Sequence, residues 1–287
     1  MKDTPITIAI ASGKGGTGKT FVATNLAALL AGRGEQVAYL DCDVEEPNGH
    51  VFLQPVIEQV KTVGVPVPEV ELAKCTFCGK CGEICQYRAI VVIKDSVLVF
   101  PELCNGCGGC ARVCPEEAIS EVPHELGVVD SGSAETIGFV QGRLKVGEAR
   151  AVPLIREVRG SAPDGGVVFV DAPPGTSCPV IESVKRADFV LLVTEPTPFG
   201  LSDLRMTVGM VRTLNLPLAV VVNRADVGDD CVKRYCEDEG IGVLAEIPDD
   251  RAVAEAYSCG ELAVRALPEY ERVFAELNER ILEQVRP

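Results

Sequence analysis

The sequence predicts an α/β protein: a mostly parallel sheet covered by helices on both faces, with a small α+β unit inserted into it. Three observations carry that prediction. Apolar strand patterns alternate with helical ones near the start of the chain and again from Val167 onward, and such alternation builds parallel sheets through helical crossovers. A glycine-rich loop, Gly13 to Thr20, separates the first strand pattern from the first helix. Between residues 75 and 114 the alternation is interrupted by eight of the thirteen cysteines, arranged in two copies of one pattern.

Composition sets the outer limits. With 287 residues and 47% hydrophobic content the chain can bury a large core and a smaller second one. A net charge of -15 makes the average surface repel phosphate backbones and anionic lipid. Nucleic acid is therefore not an expected partner. The apolar run Ile6 to Ala11 is too short for a signal peptide, and no stretch approaches the ~20 apolar residues of a membrane helix. Many free thiols without an export signal point to a reducing, cytoplasmic setting.

In chain order, residues 5 to 11 form a buried-strand pattern and Phe21 to Ala31 a helix, with Gly32 as its C-cap. Strand, glycine loop and helix are the context of a phosphate-binding loop. Gly13, Gly15, Gly16 and Gly18 let backbone N–H groups around Thr17 point inward at phosphates. Lys19 reaches the β and γ oxygens, and Thr20 offers its hydroxyl to Mg2+. Gln36 to Leu40 reads as the second strand and ends in Asp41-Cys42-Asp43, where an α/β sheet places ligand-binding groups. Cys42 is expected to pack inward. From Val60 to Pro68 the chain turns Val- and Pro-rich and reads as a linker.

The cysteines follow. Cys75, Cys78, Cys81 and Cys85 recur as Cys104, Cys107, Cys110 and Cys114, each 29 residues on, and Ala89-Ile90 recurs as Ala118-Ile119. A register that extends beyond the cysteines marks a duplicated structural unit. Each copy is C-x2-C-x2-C-x3-C, and Pro115 follows the second where Gln86 follows the first. In this pattern three thiolates wrap one cluster and the fourth ligates the other. The expected ligand sets are thus crossed: Cys75, Cys78, Cys81 and Cys114 for one [4Fe-4S] cluster, and Cys104, Cys107, Cys110 and Cys85 for the second. Zinc ribbons use paired C-x2-C knuckles with a longer gap, and a disulfide framework requires an oxidising compartment, so both are disfavoured. Residues 65 to 121 resemble a two-cluster bacterial ferredoxin. Arg88 to Ile93 and Val97 to Phe100 are expected as a hairpin across Lys94-Asp95-Ser96. His124 is expected at the surface, not as a ligand.

Ile137 to Val140 and Arg143 to Val146 read as a hairpin turning at Gln141-Gly142, and Val152 to Val158 as a helix. Val167 to Val170 is a fully apolar strand ending at Asp171-Ala-Pro-Pro-Gly, the arrangement that binds Mg2+ through water. Strands at Phe189 to Thr194, Leu218 to Val222 and Val243 to Ile247 alternate with helices at Leu201 to Leu214 and near 229 to 239. The last helix, from Glu269, carries an apolar stripe that includes Val273, Phe274, Leu277 and Ile281. Its charges are mainly acidic, so the stripe is expected in the core and not on lipid.

Lys14 adds a second lysine to the loop, and K-G-G-T-G-K-T resembles the deviant Walker A motif of the MinD, ParA, Mrp and nitrogenase iron-protein superfamily. The resemblance implies a P-loop NTPase core over 1–64 and 122–287, with the ferredoxin-like unit inserted. It implies ATP or ADP with Mg2+ as ligands, and a homodimer, or a heterodimer with a paralogous ATPase, in which Lys14 reaches the partner's active site. Asp43 would orient or deprotonate the attacking water, Asp41 would support the Mg2+ region and Asp171 would hold the ion. Asn223, Arg224, Pro248 and Asp249 resemble the adenine-side residues, although Asn223 to Asp226 also approximates a guanine motif. Asp43 and Asp171 are 128 residues apart, and 71 remain once the 57-residue unit is removed.

The function so implied is ATP hydrolysis coupled to electron transfer through two [4Fe-4S] clusters, toward a redox or metallocofactor partner protein. Carriage or assembly of iron–sulfur or metal cofactors is the alternative, and positioning of cell contents a more distant one. No stable membrane anchor is expected. Cys178 follows Asp171 by seven residues, where the nitrogenase iron protein has a cluster cysteine. One such thiol per chain falls short of a bridging cluster, so a packed thiol is the leading expectation and a contact at the dimer seam the second.

Overall fold

A computed structural model describes residues 5–285. Of these, residues 5–60, 129–143 and 155–285 form one compact unit, and 61–128 with 144–154 form another. The chain runs through β1 (Ile6–Ala11), α1 (Lys19–Gly32), β2 (Val37–Asp41) and α2 (Gly49–Leu53), and leaves the first unit along β3 (Val56–Val70). The second unit contains α3 (Lys80–Ile84), β4 (Ile90–Ile93), β5 (Ser96–Val99) and α4 (Gly109–Arg112). Next, β6 (Ile119–Ala134) returns to the first unit, β7 (Ile137–Leu144) leaves it, and α5 (Ala151–Gly160) re-enters it. The rest is β8 (Val167–Asp171), α6 (Cys178–Val184), β9 (Phe189–Thr194), α7 (Pro198–Thr213), β10 (Leu218–Asn223), α8 (Cys231–Asp238), β11 (Val243–Ile247), α9 (Arg251–Ser258), α10 (Ala263–Ala266) and α11 (Pro268–Val285).

The strand order is β11-β10-β9-β1-β8-β2-β7-β6-β3, and the pairings from β11 to β7 are all parallel. The expected α/β class with a mostly parallel sheet is therefore observed. Strands covered on both faces must be apolar throughout, and β8 (VVFVD) and β9 (FVLLVT) are buried at every position. Register then fixes the chemistry: β8 lies between β1 and β2, with Ile10 and Asp41 both opposite Asp171. Both aspartates thus stand side by side at the carboxyl ends of central strands, where such sheets bind ligands.

One face of the first unit is closed by α1, α10 and α11. Eleven of the fourteen residues of α1 are buried, as a helix apolar on all sides requires. Phe21 meets Phe274 of α11 edge-on at 5.5 Å, and Leu277 and Ile281 join the same core. The stripe on the last helix is core packing, as expected.

Three local expectations are corrected. Gly32 lies within α1, and Gly34, at φ +83°, is the glycine that takes the left-handed conformation after it. The Val- and Pro-rich stretch 60–68 belongs to β3, and Gln141-Gly142 lies inside a single unbroken β7. The turn sits earlier: β6 and β7 are joined by Glu135 and Thr136 alone, with Glu135 at φ +54°, and two residues can join only antiparallel neighbours.

The second unit carries its duplication in the backbone. Left-handed residues recur 29 positions apart, Phe77 with Gly106, Gly79 with Gly108 and Arg88 with Glu117. Both Ala89 and Ala118 are buried. The hairpin between the repeats is present, with Ile93 opposite Ser96 and Lys94 at φ +53° in the turn.

Candidate functional site

Gly18 caps α1 with φ +99°, and a Cβ there would lie 2.4 Å from the Asn223 amide nitrogen. That amide donates to the Thr17 carbonyl at 2.9 Å, so β10 braces the loop. A Cβ on Gly13 would meet Asp203 at 2.5 Å. Only glycine fits either place. The loop opens onto a cavity of about 410 Å³ whose lining includes Gly15, Gly16, Gly18, Lys19, Thr20, Asp43, Asn223, Arg224, Pro248 and Asp249. Pro174, Val253 and Tyr257 also line it, the last two without a motif to mark them.

Three carboxylates crowd the loop's mouth. The Thr20 hydroxyl donates to Asp171 Oδ2 at 2.6 Å, and the Tyr39 hydroxyl donates to the same oxygen at 2.9 Å. Among the described residues, the buried Asp171 Oδ1 has no hydrogen-bond partner. Burial raises the Asp171 carboxyl above its ordinary range, and the Lys19 ammonium offsets part of that. Burial, then Asp171, lifts Asp43 to about 6, again opposed by Lys19. Asp41 is pushed well up by burial and by Asp171. A buried orphan oxygen beside a threonine hydroxyl, among anions that outnumber their cation, fits the donor chemistry of Mg2+.

Asp41 is also tied to the loop that follows it. Its Oδ1 accepts the Asp43 N–H at 3.2 Å and its Oδ2 the Gly49 N–H at 3.0 Å, so it staples the loop that carries Asp43. A Cβ on Gly49 would collide with the Tyr39 ring at 2.3 Å. Tyr39 was not singled out from the sequence, although it sits two residues before Asp41 and so shares its face of the strand.

Lys14 does not line the nucleotide cavity. Its Nζ lies 2.8 Å from Glu195 Oε2, while Glu195 Oε1 accepts from Arg224 Nη1 at 3.0 Å. Arg224 Nε in turn lies 3.4 Å from Asp249, and Asp226 accepts the Asp249 N–H. Glu195 follows β9 directly, at the same carboxyl edge as Asp41 and Asp171, and that position is the signal that could have found it.

In the second unit the crossed cysteine sets each surround a separate cavity. Cys75, Cys78, Cys81 and Cys114 line one, with Val70, Val92 and Val97. Cys104, Cys107, Cys110 and Cys85 line the other, of about 180 Å³. Among the described residues no three His, Cys, Asp or Glu side chains converge where a single metal ion would sit. Backbone N–H groups aim at the sulfurs in duplicate: Phe77 on Cys75 and Gly106 on Cys104, both at 3.4 Å, with Ala89 on Cys85 and Ala118 on Cys114, both at 3.3 Å. Burial raises the Cys85 thiol, but four backbone N–H groups outweigh it and hold the thiol below its ordinary value. Apolar hollows ringed by four sulfurs, two of which in each already accept a backbone N–H, fit the needs of a cubane cluster.

His124 is partly exposed and pairs with Glu148 at 3.3 Å. Cys42 is buried as expected, while Cys178 is exposed, contrary to the packed thiol expected of it.

A model of the CobQ/CobB/MinD/ParA nucleotide binding domain matches residues 8–263. The chain belongs to that family. Within it, an uncharacterized protein of Methanocaldococcus jannaschii is 30% identical over 263 residues, covering 88% of this chain and 90% of that protein. An iron-sulfur cluster carrier protein of Pyrococcus horikoshii is 26% identical, over 97% of this chain and 86% of its own length. The solved septum site-determining protein MinD of Pyrococcus horikoshii, complexed with Mg-ADP, superimposes with a TM-score of 0.60 at 21% identity. Coverage is 97% of this chain and 96% of that one, a likeness of fold. Family membership and the Mg2+-ready loop together fit nucleotide binding and an ATPase of the MinD/ParA kind. Among the described residues no helix is long and apolar enough to cross a membrane.

Proposed function

We propose that this family member is an ATP-driven iron–sulfur electron carrier, with a ferredoxin-like unit, residues 65–121, inserted into a deviant Walker A ATPase, residues 1–64 and 122–287. The observation that carries the reading is the drawing of eight cysteines from two repeats into two four-sulfur cavities, each completed by the last cysteine of the other repeat. Two [4Fe-4S] clusters bound there would supply one-electron storage and transfer. Interleaved ligand sets make each cluster cross-link both repeats, so neither repeat can release its cluster alone. This favours permanent redox centres over cargo.

The chain's own groups then divide the work at the nucleotide. Gly13 to Thr20 cradle the phosphates, Lys19 neutralises the β and γ oxygens, and Thr20 with Asp171 holds Mg2+. Asp43, its proton affinity raised to about 6, is ionised at neutral pH yet basic enough to accept a proton from water. Lys14 leaves Glu195 to meet the nucleotide of a second copy of the chain in a homodimer, where its charge stabilises the transition state. Arg224, Pro248 and Asp249, which line the same cavity, face the base, which we take as adenine. Coupling follows the covalent path, because β3 and β6 run unbroken between the two units. On the nucleotide side, Asp41 is in register with Gln141 of β7, whose amide donates to Asp130 of β6.

Anaerobic reconstitution tests the reading, with about eight iron atoms per chain and two interacting reduced clusters expected. Four or fewer iron atoms would refute it. A second reading, delivery of clusters to other proteins, is favoured by the names of several relatives, the Pyrococcus horikoshii protein among them. It predicts that iron leaves for an apo-acceptor when nucleotide is added.

A further inference from the structure

The duplicated cysteine unit differs between its two copies in the charge held at the first cysteine's turn. In each repeat the first cysteine closes the same turn: the Cys75 N–H donates to the Leu72 carbonyl at 3.3 Å, and the Cys104 N–H to the Pro101 carbonyl at 3.1 Å. At the first turn the neighbouring cation, Lys74, lies more than half exposed and is engaged by Glu71. The second turn instead receives a buried guanidinium. Arg150 Nη1 donates to the Pro101 carbonyl at 2.8 Å and to the carbonyl of Cys104 itself at 2.6 Å. Cys104 is buried, whereas Cys75 is not.

Arg150 is held from behind. Glu148 accepts from its Nε at 2.7 Å and from its Nη2 at 2.6 Å, a two-pronged pairing that fixes the plane of the guanidinium. Glu148 also accepts the N–H groups of Ala149 and Arg150, and His124 approaches its second oxygen. The side chains of Arg150 and Glu148 are only 11% and 5% exposed. An order therefore exists along the line: carboxylate, guanidinium, cysteine backbone. The cation lies between the anion and the cysteine-lined cavity, in surroundings where charges are poorly screened.

We propose that Arg150, positioned by Glu148, sets the site lined by Cys85, Cys104, Cys107 and Cys110 at a higher reduction potential than its duplicate. The inference rests on the reading that both cavities hold clusters. Reduction adds one electron and one negative charge, and a fixed cation on the near side stabilises the reduced form. The duplication built two like sites, and beyond the charged side chains that line them, Lys80 and Glu116 at the first and Glu121 at the second, this ion pair gives the second a cation held against its backbone. The second site becomes the more readily reduced of the two, which gives direction to an electron passing between them.

The test is a redox titration of the anaerobic, cluster-loaded protein, monitored by paramagnetic resonance, with substitutions of opposite charge effect. Arg150→Gln leaves the Glu148 anion unopposed and lowers the upper potential. Glu148→Gln leaves the Arg150 cation unopposed and raises it. Each changes the oxidised-to-reduced ratio at fixed ambient potential about tenfold, or 59 mV for one electron, while the lower potential stays in place. Arg150→Lys keeps the charge and restores most of the wild-type value. If Arg150→Gln loses iron, Glu148→Gln and Arg150→Lys still carry the test. Shifts in one shared direction, or none, with iron content intact, would overturn the proposal and leave Arg150 a purely structural clamp. Wild-type protein lacking iron at the second set would instead overturn the cluster reading.

Discussion

Replacing Asp43 with asparagine should make the nucleotide-free protein more stable while it stops hydrolysis. Burial and the nearby Asp171 raise the Asp43 carboxyl from an ordinary 3.8 to about 6. That is roughly two pH units, each worth about 1.4 kcal/mol, and partial exposure reduces the total, so ionised Asp43 costs the fold about 2 kcal/mol. The sign follows from proton binding. Between pH 3.8 and 6 the native state binds more protons than the unfolded chain, so this residue's contribution to stability falls as pH rises through that window. Asparagine cannot ionise, and it retains an oxygen to accept the Glu46 N–H. Urea unfolding without nucleotide should therefore show Asp43→Asn more stable by about 2 kcal/mol at pH 7.5, the gap closing near pH 4. Hydrolysis should fall by about 10^2 to 10^4, the usual share of a general base. A variant less stable than wild type at pH 7.5, or a gap insensitive to pH, would refute the reasoning.

Lys19→Ala should abolish nucleotide binding, whereas Lys14→Ala, whose ammonium sits on Glu195 outside the cavity, should bind nucleotide but neither dimerise nor hydrolyse it. Equilibrium nucleotide binding with light scattering checks both, and normal hydrolysis by the Lys14 variant would remove the case for its role in a partner's site. Cys85→Ser should damage the cluster of the Cys104, Cys107 and Cys110 set, read as lost iron and a lost resonance signal. Loss confined to the Cys75, Cys78 and Cys81 set would refute the crossing.

What the sequence disclosed depended on how completely local residues determined the outcome. Strands β8 and β11 are legible to within a residue because apolar runs bounded by turn residues leave little choice, and the loop from Gly13 to Thr20 because glycine is required at Gly13 and Gly18. The 29-residue repeat was legible for the same reason, and its left-handed residues recur in step. By contrast the stretch from Val60 to Pro68 reads as a linker because it is Val- and Pro-rich, yet it belongs to β3. It lies at the sheet's edge, where proline's missing N–H costs little. The turn expected at Gln141-Gly142 failed because Gln141 is committed to Asp130 and Glu135 supplies the turn instead. The roles of Tyr39 and Arg150, and the partners of Glu195, are not legible locally because each acts on a residue far away in sequence. Arg150 touches Cys104 across 46 positions and Tyr39 touches Asp171 across 132.

Nucleotide state and redox state are linked in one chain if the proposed function holds. The most direct measurement is the pair of midpoint potentials of the reconstituted, anaerobic protein, taken without nucleotide and again with saturating Mg-ATP. Mg-ATP should move at least one potential while all eight iron atoms stay bound. Two potentials unchanged by Mg-ATP, with iron passing to an apo-acceptor, would contradict it and make the protein a carrier of clusters instead.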